Sequence, residues 1–213
     1  MEQMIEEAVK YVETLFAGDA GGHDAAHTLR VYRTAMFLAR QEGADLPVTA
    51  LAALLHDVDD VKLSPGTAAA KENAVSFLRA HGADALTQAR ILQIINEVSF
   101  RGTESVAPSS LEGKCVQDAD RLDAIGAVGI ARAFAYGGSR GRKLYDPAEP
   151  PLPGMDEAAY RAHKSTTVNH FYEKLFLLKD MMNTEAARVL ALKRDSFMRA
   201  FLEEFYAEWE GRA

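Results

Sequence analysis

The sequence lacks the features that mark secreted and membrane proteins. Cys115 is the only cysteine among 213 residues, so no internal disulfide can form, and a reducing cytoplasm suits the chain. No apolar run is long enough to cross a bilayer. Residues 1–7 are acidic and lack the basic and apolar regions of a signal peptide. These absences predict a cytoplasmic protein with no membrane partner.

Positive charge is also scarce. The chain has 24 lysines and arginines against 31 aspartates and glutamates, which gives a formal net charge of −7. A general nucleic-acid binder would need a basic face to neutralise phosphates, so no nucleic-acid partner is expected. An anionic small substrate would instead need local basic residues or a metal ion to offset the overall negative charge.

The apolar pattern predicts helices throughout, with no convincing strand alternation and no internal repeat. Apolar residues recur at spacings of three and four, and the predicted helices are 4–16, 25–41, about 47–57, 67–80, 84–98, 156–181 and 184–209. Residues 111–136 are rich in small side chains, which places them at the centre. The prediction is therefore an all-α protein with a single domain over 1–213, interrupted by a basic Gly/Pro-rich loop at 137–154.

Residues 52–60 are the most informative stretch. An Ala/Leu run with strong helix propensity ends at His56, and three aspartates follow within four residues. Imidazole nitrogen and carboxylate oxygen together suit Mn²⁺, Fe²⁺, Co²⁺, Ni²⁺ or Zn²⁺. An isolated His56-Asp57 pair is more often a capping carboxylate beside a hydrogen-bonded histidine, so the rest of the ligand set decides the interpretation.

His23 and His27 suggest one way to complete the set. Two histidines four residues apart can share a helical face, as in the metalloprotease pattern H-E-x-x-H. Here the second position is Asp24, which is one methylene shorter than glutamate and follows two glycines at a predicted helix start. This departure argues against a metalloprotease.

A second set uses only His27 of that pair. His27, His56, Asp57 and Asp118 offer two imidazole nitrogens and two carboxylates, which leave room for water around a six-coordinate ion. The ordered pattern H…HD…D resembles that of the HD-domain superfamily of metal-dependent phosphohydrolases. Residues 27–31 look like its H-x-x-R-V helix, 53–57 like its A-x-L-H-D element and 118–123 like its D-A-D-x-L-D segment.

The resemblance is strongest to small stand-alone bacterial HD hydrolases. It also includes residues 123–132 and 169–175, so it covers nearly the whole chain. It implies a single-domain, all-α HD (PDEase-like) helical fold in which His27, His56, Asp57 and Asp118 bind one divalent transition metal ion. Mn²⁺ is preferred, with Ni²⁺, Co²⁺, Fe²⁺, Zn²⁺ or Mg²⁺ as alternatives. That subfamily is associated with nucleotide pyrophosphohydrolysis.

Residues beside the predicted ligands are candidates for catalysis and phosphate binding. Asp60 is a candidate general base and Lys62 a candidate phosphate contact, although both also suit a solvated helix end. Arg30 and Arg121 each lie three residues after a predicted ligand and so share its helix face. They can reach a phosphate, or form ion pairs that steady the ligands.

Two further candidates lie outside these helices. Lys143, with Arg140 and Arg142, lies in the glycine-rich loop and is a candidate for closing over an anionic substrate; the alternative is a solvated basic loop. His23 is a candidate contact for the substrate or leaving group, or else a surface or capping residue.

The expected activity is metal-dependent hydrolysis of a small-molecule nucleotide or phosphate ester. The preferred reaction is attack of a metal-activated water on a nucleoside triphosphate, which yields a monophosphate and pyrophosphate. A 5′-nucleotidase-type phosphomonoesterase and a non-catalytic metal-bound nucleotide sensor are the alternatives. The sequence leaves open whether the protein is a monomer or a homodimer.

Overall fold

The regular secondary structure of the described residues is entirely helical, which confirms the all-α prediction. The computed structural model describes residues 1–17, 24–60, 66–98, 106–152, 154–155 and 163–212. Within these ranges none of the helices is long and apolar enough to span a membrane. The α-helices are α1 (Glu2–Leu15), α2 (Ala25–Glu42), α3 (Leu46–Leu55), α4 (Glu72–Ala80), α5 (Ala85–Val98), α6 (Leu111–Asp123), α7 (Gly126–Ser139), α8 (Thr167–Glu173) and α9 (Glu185–Trp209), and a 3₁₀ helix, Leu175–Met181, lies between α8 and α9.

The chain forms two compact units. The first comprises Met1–Phe100 and Ser105–Asp120, and the second comprises Arg101–Glu104 and Arg121–Ala213. The boundary falls inside α6, so the last turn of this helix belongs to the second unit. The single domain over 1–213 stays a prediction.

Helix α3 is the centre of the first unit. Every residue from Val48 to Leu55 is buried, and α1, α2 and α5 pack against it. A helix that is apolar all round is stable only when it is covered on all sides. The next residues, His56 and Asp57, therefore lie where the most buried helix of this unit ends.

Local capping confirms the predicted start of α2. The Asp24 carboxylate accepts a hydrogen bond from the His27 amide at 2.7 Å, and Gly43 ends the helix with a left-handed φ of 77°. An N-cap of this kind fixes where the first turn begins, because it satisfies an amide that has no partner within the helix. His27 is consequently held in the first turn of α2, where it is buried.

Two predicted helices need correction. Helix α4 begins at Glu72 rather than at Thr67. The amides of Asn73 and Ala74 donate to the Asp59 carboxylate, and the Glu72 amide donates to the backbone carbonyl of Thr67, so the Thr67 side chain does not cap this helix. The helix predicted over 156–181 is wrong over 163–166 and breaks at Lys174. Thr166 is extended and caps α8 by accepting from the Asn169 amide at 3.1 Å, so the helix begins there. Residues 156–162 lie outside the described residues.

The second unit is built on α7, α8, the 3₁₀ helix and α9, which pack against one another. Aromatic rings fill its interior, and Phe171 is the largest side chain that is fully buried there. Residues 137–139 of the predicted basic loop belong to α7, and residues 140–152 form no regular helix or strand.

Candidate metal centre

Three of the predicted ligands come together in the first unit. The nearest ligand atoms of His27, His56 and Asp57 all lie within 4.8 Å of one another. Asp57 Oδ2 is 3.4 Å from His27 Nε2 and 3.4 Å from His56 Nε2. These separations exceed hydrogen-bond length. Two atoms that each lie about 2.1 Å from one ion are separated by roughly 3.0–3.4 Å at tetrahedral or octahedral angles, so the spacing suits a shared metal ion.

The end of α3 explains how neighbours in sequence converge. His56 still has helical backbone angles, φ −62° and ψ −34°, whereas Asp57 belongs to the turn that follows. Adjacent residues inside a helix point about 100° apart, and the turn removes that constraint. The His27 ring approaches from α2, edge-on to His56 with the ring centroids 5.6 Å apart.

The tautomer of His56 is set by its backbone partner. Its Nδ1 lies 2.7 Å from the carbonyl oxygen of Ala53, and a carbonyl only accepts, so Nδ1–H is the donor. The Nε2 lone pair then faces Asp57. In the described part of the chain this buried Nε2 makes no hydrogen bond. A buried nitrogen without a partner is costly, and a metal ion would satisfy it, so the residues present fit a divalent cation.

The charges of the site also favour a cation. Burial alone lowers the pKa of His56, but the carboxylates of Asp57 and Asp120 outweigh burial and raise this pKa to about 9. Two carboxylates beside buried imidazoles therefore attract positive charge strongly. A divalent ion supplies that charge and replaces the proton on Nε2.

Helix α6 brings Asp120, which was not predicted, to the site. Asp120 Oδ1 lies 3.4 Å from His27 Nε2, the same separation that links His27 to Asp57. Residues two apart on a helix point about 200° apart, so Asp118 faces a different side of α6. Asp118 is fully buried, and burial, followed by the charge of Asp118, raises the pKa of the Cys115 thiol to about 12.

Asp118 as the fourth ligand thus stays a prediction. The distance to His27 favours Asp120 for that position. The sequence signal for both was the D-A-D segment. Its two aspartates are equally good ligands by chemistry, and only the rotation of α6 about its axis distinguishes them.

The turn after His56 separates the roles of two aspartates. Asp59 is fully buried and accepts from the backbone amides of Asn73 and Ala74 at 3.1 and 3.0 Å. Asp60 is half-buried, and its amide donates to the Asp57 carbonyl at 3.0 Å. Because Asp59 caps α4, Asp60 remains the candidate base. Lys62 and His23 lie outside the described residues.

The predicted phosphate contacts fall in different surroundings. Arg30 is half-buried, in the first unit, one helical turn after His27. Arg121 is buried in the second unit, where its guanidinium donates to the Met181 carbonyl. Lys143 Nζ is exposed and pairs with Asp146 at 2.6 Å and Glu149 at 3.2 Å. Their contact with substrate stays a prediction.

Comparison with known proteins identifies the family of the chain. The HD domain family matches residues 24–125. A crystal structure of a Lactobacillus plantarum protein superposes with a TM-score of 0.87 at 43% identity, covering 99% of this chain and 98% of that one. An HD-superfamily hydrolase from Bacillus thuringiensis has a TM-score of 0.78 at 41% identity, with 98% of both chains covered.

YpgQ of Bacillus subtilis (strain 168) is 39% identical over 208 residues, which cover 97% of this chain and 94% of YpgQ. The crystal structure of YpgQ in complex with ADP superposes with a TM-score of 0.76 at 37% identity, covering 98% of this chain and all of that one (100%). The relatives match nearly from end to end, and the family match spans the residues of the candidate metal centre. The chain therefore belongs to the HD-domain superfamily and has the fold of its hydrolases.

Proposed function

We propose that this protein is a metal-dependent phosphohydrolase that converts nucleoside triphosphates to monophosphates and pyrophosphate. The observation that carries the proposal is the buried cluster in which one Asp57 oxygen lies 3.4 Å from both His27 Nε2 and His56 Nε2. The structure of YpgQ with ADP supports a nucleotide as the substrate class. Membership of a hydrolase superfamily supports turnover over binding alone.

The proposed ligands are His27, His56 and Asp57, completed by a carboxylate of α6. Geometry favours Asp120 for that position, and the motif resemblance favours Asp118. Mixed nitrogen and oxygen ligands suit Mn²⁺, our preferred ion, and also Fe²⁺, Co²⁺, Ni²⁺ and Zn²⁺. When bound, such an ion supplies Lewis acidity, which lowers the pKa of water and offsets phosphate charge.

The protein side chains then have two tasks, proton transfer and phosphate binding. In the proposed reaction the oxygen of water bonds to the α-phosphorus, and the bond from that phosphorus to the bridging oxygen breaks. Pyrophosphate leaves with the bonding electron pair, and Asp60 takes the proton from the attacking water. Arg30 is the proposed phosphate contact within the first unit, because a guanidinium can bind phosphate through two parallel hydrogen bonds.

A turnover screen tests the proposal. Purified protein would be stripped of metal, given Mn²⁺, Mg²⁺, Co²⁺, Ni²⁺ or Zn²⁺, and incubated with nucleoside mono-, di- and triphosphates. Phosphate and pyrophosphate would be measured separately. Pyrophosphate from triphosphates supports the proposal, whereas phosphate from monophosphates would make the protein a phosphomonoesterase. Tight nucleotide binding with neither product would indicate a non-catalytic sensor.

A further inference from the structure

The HD turn, residues 56–60, carries two proposed ligands and the candidate base, yet it lies beyond the last residue of α3. Its backbone bonds are those of a turn: Val58 N–H donates to the Leu55 carbonyl at 3.4 Å, and Asp60 N–H to the Asp57 carbonyl at 3.0 Å. The first of these is long. Helical hydrogen bonds therefore do not account for the fixed position of this turn.

The side chain of Asn73, in the first turn of α4, supplies direct contacts to the turn. Its Nδ2 donates to the carbonyl oxygen of Val58 at 2.9 Å and to Thr67 Oγ1 at 3.1 Å. An amide nitrogen carries two hydrogens, so both donors are used. The Val58 carbonyl belongs to the residue directly after Asp57, and fixing it restricts the backbone that aims the Asp57 carboxylate.

The side chain of Asp59, in the HD turn, accepts hydrogen bonds from the backbone at the start of α4. Asp59 Oδ1 accepts from Asn73 N–H at 3.1 Å and Oδ2 from Ala74 N–H at 3.0 Å. The residue at the N-cap of α4, Lys71, has a left-handed φ of 53° and no capping side chain, so Asp59 caps this helix from 14 residues away along the chain. A buried carboxylate at a helix start also gains from the helix dipole.

Three of these four hydrogen bonds form a reciprocal clasp between the HD turn and α4, and the fourth joins Asn73 to Thr67. Asn73 donates to the backbone of the turn, and the turn's own Asp59 accepts from the backbone of α4. Asp59 is fully buried, and its charge, after burial, raises the pKa of Tyr11 in α1. The turn is thus fixed against a helix that itself carries no metal ligand.

We propose that Asn73, anchored by Asp59, is a positioning residue of the metal centre. It holds the HD turn so that His56 Nε2 and Asp57 Oδ2 are aimed at a single ion, and it contacts neither ion nor substrate. The proposal rests on the metal site of the proposed function and not on the identity of the substrate. Residues that orient metal ligands typically contribute about 10–100-fold to metal affinity.

The test is the affinity for Mn²⁺ of metal-stripped protein, measured by calorimetry, alongside the midpoint of chemical unfolding. Asn73→Asp keeps the shape but replaces the donor with an acceptor facing the Val58 carbonyl, and Mn²⁺ binding should weaken at least about 10-fold. Asn73→Ala removes the amide without adding charge and should weaken binding to a similar extent. Asn73→Gln keeps the amide and should recover part of the affinity.

Two control variants separate positioning from loss of stability. Ser76→Gly weakens the same helix at an exposed position outside the clasp, so it should lower the unfolding midpoint and leave Mn²⁺ affinity within about twofold. Lys71→Gly relieves the left-handed backbone strain at the N-cap. Combined with Asn73→Asp, it should raise the unfolding midpoint without restoring Mn²⁺ affinity.

The proposal would be overturned if Asn73→Asp left the Mn²⁺ affinity unchanged. It would also be overturned if Ser76→Gly lost as much Mn²⁺ affinity as Asn73→Asp at the same unfolding midpoint, or if adding Lys71→Gly to Asn73→Asp restored the Mn²⁺ affinity. If Asn73→Asp does not fold, Asn73→Ala decides by the same comparison. A wild-type protein that binds Mn²⁺ but hydrolyses no nucleotide would remove the proposed function and leave this inference intact.

Discussion

The predicted functional residues of the two units have different surroundings. In the first unit, Asp57 Oδ2 lies 3.4 Å from the Nε2 atoms of both His27 and His56, which is too far for hydrogen bonds and close enough for one shared ion. In the second unit, Arg121 donates to a backbone carbonyl and Lys143 is paired with two acidic side chains. Chemistry is therefore expected to depend on the first unit, and the predicted basic contacts of the second serve structure first.

The largest effect is expected from Asp57→Ala. This carboxylate lies beside both imidazoles, so its loss removes one ligand and much of the negative charge that attracts a cation. Pyrophosphate release should fall by more than about 1,000-fold, since both the nucleophile and charge neutralisation depend on the ion. Steady-state kinetics and Mn²⁺ calorimetry would measure the two losses. A variant that keeps Mn²⁺ affinity and activity would refute the ligand assignment.

The two aspartates of α6 provide the next comparison. Asp120→Asn should weaken Mn²⁺ binding at least about 10-fold, because Asp120 Oδ1 lies 3.4 Å from His27 Nε2. Asp118→Asn is the matched variant, two residues away on the same helix and fully buried. We expect it to change the unfolding midpoint more than Mn²⁺ affinity. The reverse ranking would restore Asp118 as the fourth ligand.

Metal binding should also depend on pH. The carboxylates around His56 overcome its burial and raise its pKa to about 9, so the metal-free site holds a proton at neutral pH. A metal ligand must be the neutral imidazole, and the ion must displace that proton. Mn²⁺ affinity should therefore rise up to about 10-fold per pH unit between pH 6 and 8, with about one proton released per ion. Calorimetry in buffers of different ionisation enthalpy counts the proton, and pH-independent binding would contradict the assignment.

The smallest effect is expected from Lys143→Ala. Lys143 is exposed and already paired with Asp146 and Glu149, and solvent and salt screen exposed ion pairs so that they contribute little. kcat/KM should stay within about threefold of wild type. Arg30→Ala in the first unit is the comparison, and it should raise KM or lower kcat at least about 10-fold. If Lys143→Ala has the larger effect, substrate binding depends on the second unit.

Sequence was most informative where one local signal decides the structure. The Ala/Leu run before His56 predicted a buried helix, and Asp24 predicted the start of α2; both are confirmed. The H…HD spacing brought His27, His56 and Asp57 together as candidates. The Asp24 cap and the Ala/Leu run are signals within a few residues along the chain, whereas the H…HD set was recognised by its resemblance to a family pattern, since His27 lies on a different helix from His56.

The sequence did not predict the features that depend on contacts between residues far apart along the chain. The cap of α4 comes from Asp59, so Thr67 gave a false start to that helix. Asp118 and Asp120 are chemically equivalent, and the rotation of α6 that distinguishes them depends on packing. Asn73 carries no motif, and its role is visible only through its contact with the Val58 carbonyl.

The most direct test of the central claim is a titration of Mn²⁺ into metal-stripped protein while pyrophosphate release from a nucleoside triphosphate is followed. We predict that activity rises with bound Mn²⁺ and saturates at one ion per chain, and that Asp57→Ala abolishes both signals. Stoichiometric Mn²⁺ binding with no pyrophosphate, or equal pyrophosphate release by Asp57→Ala, would contradict the account.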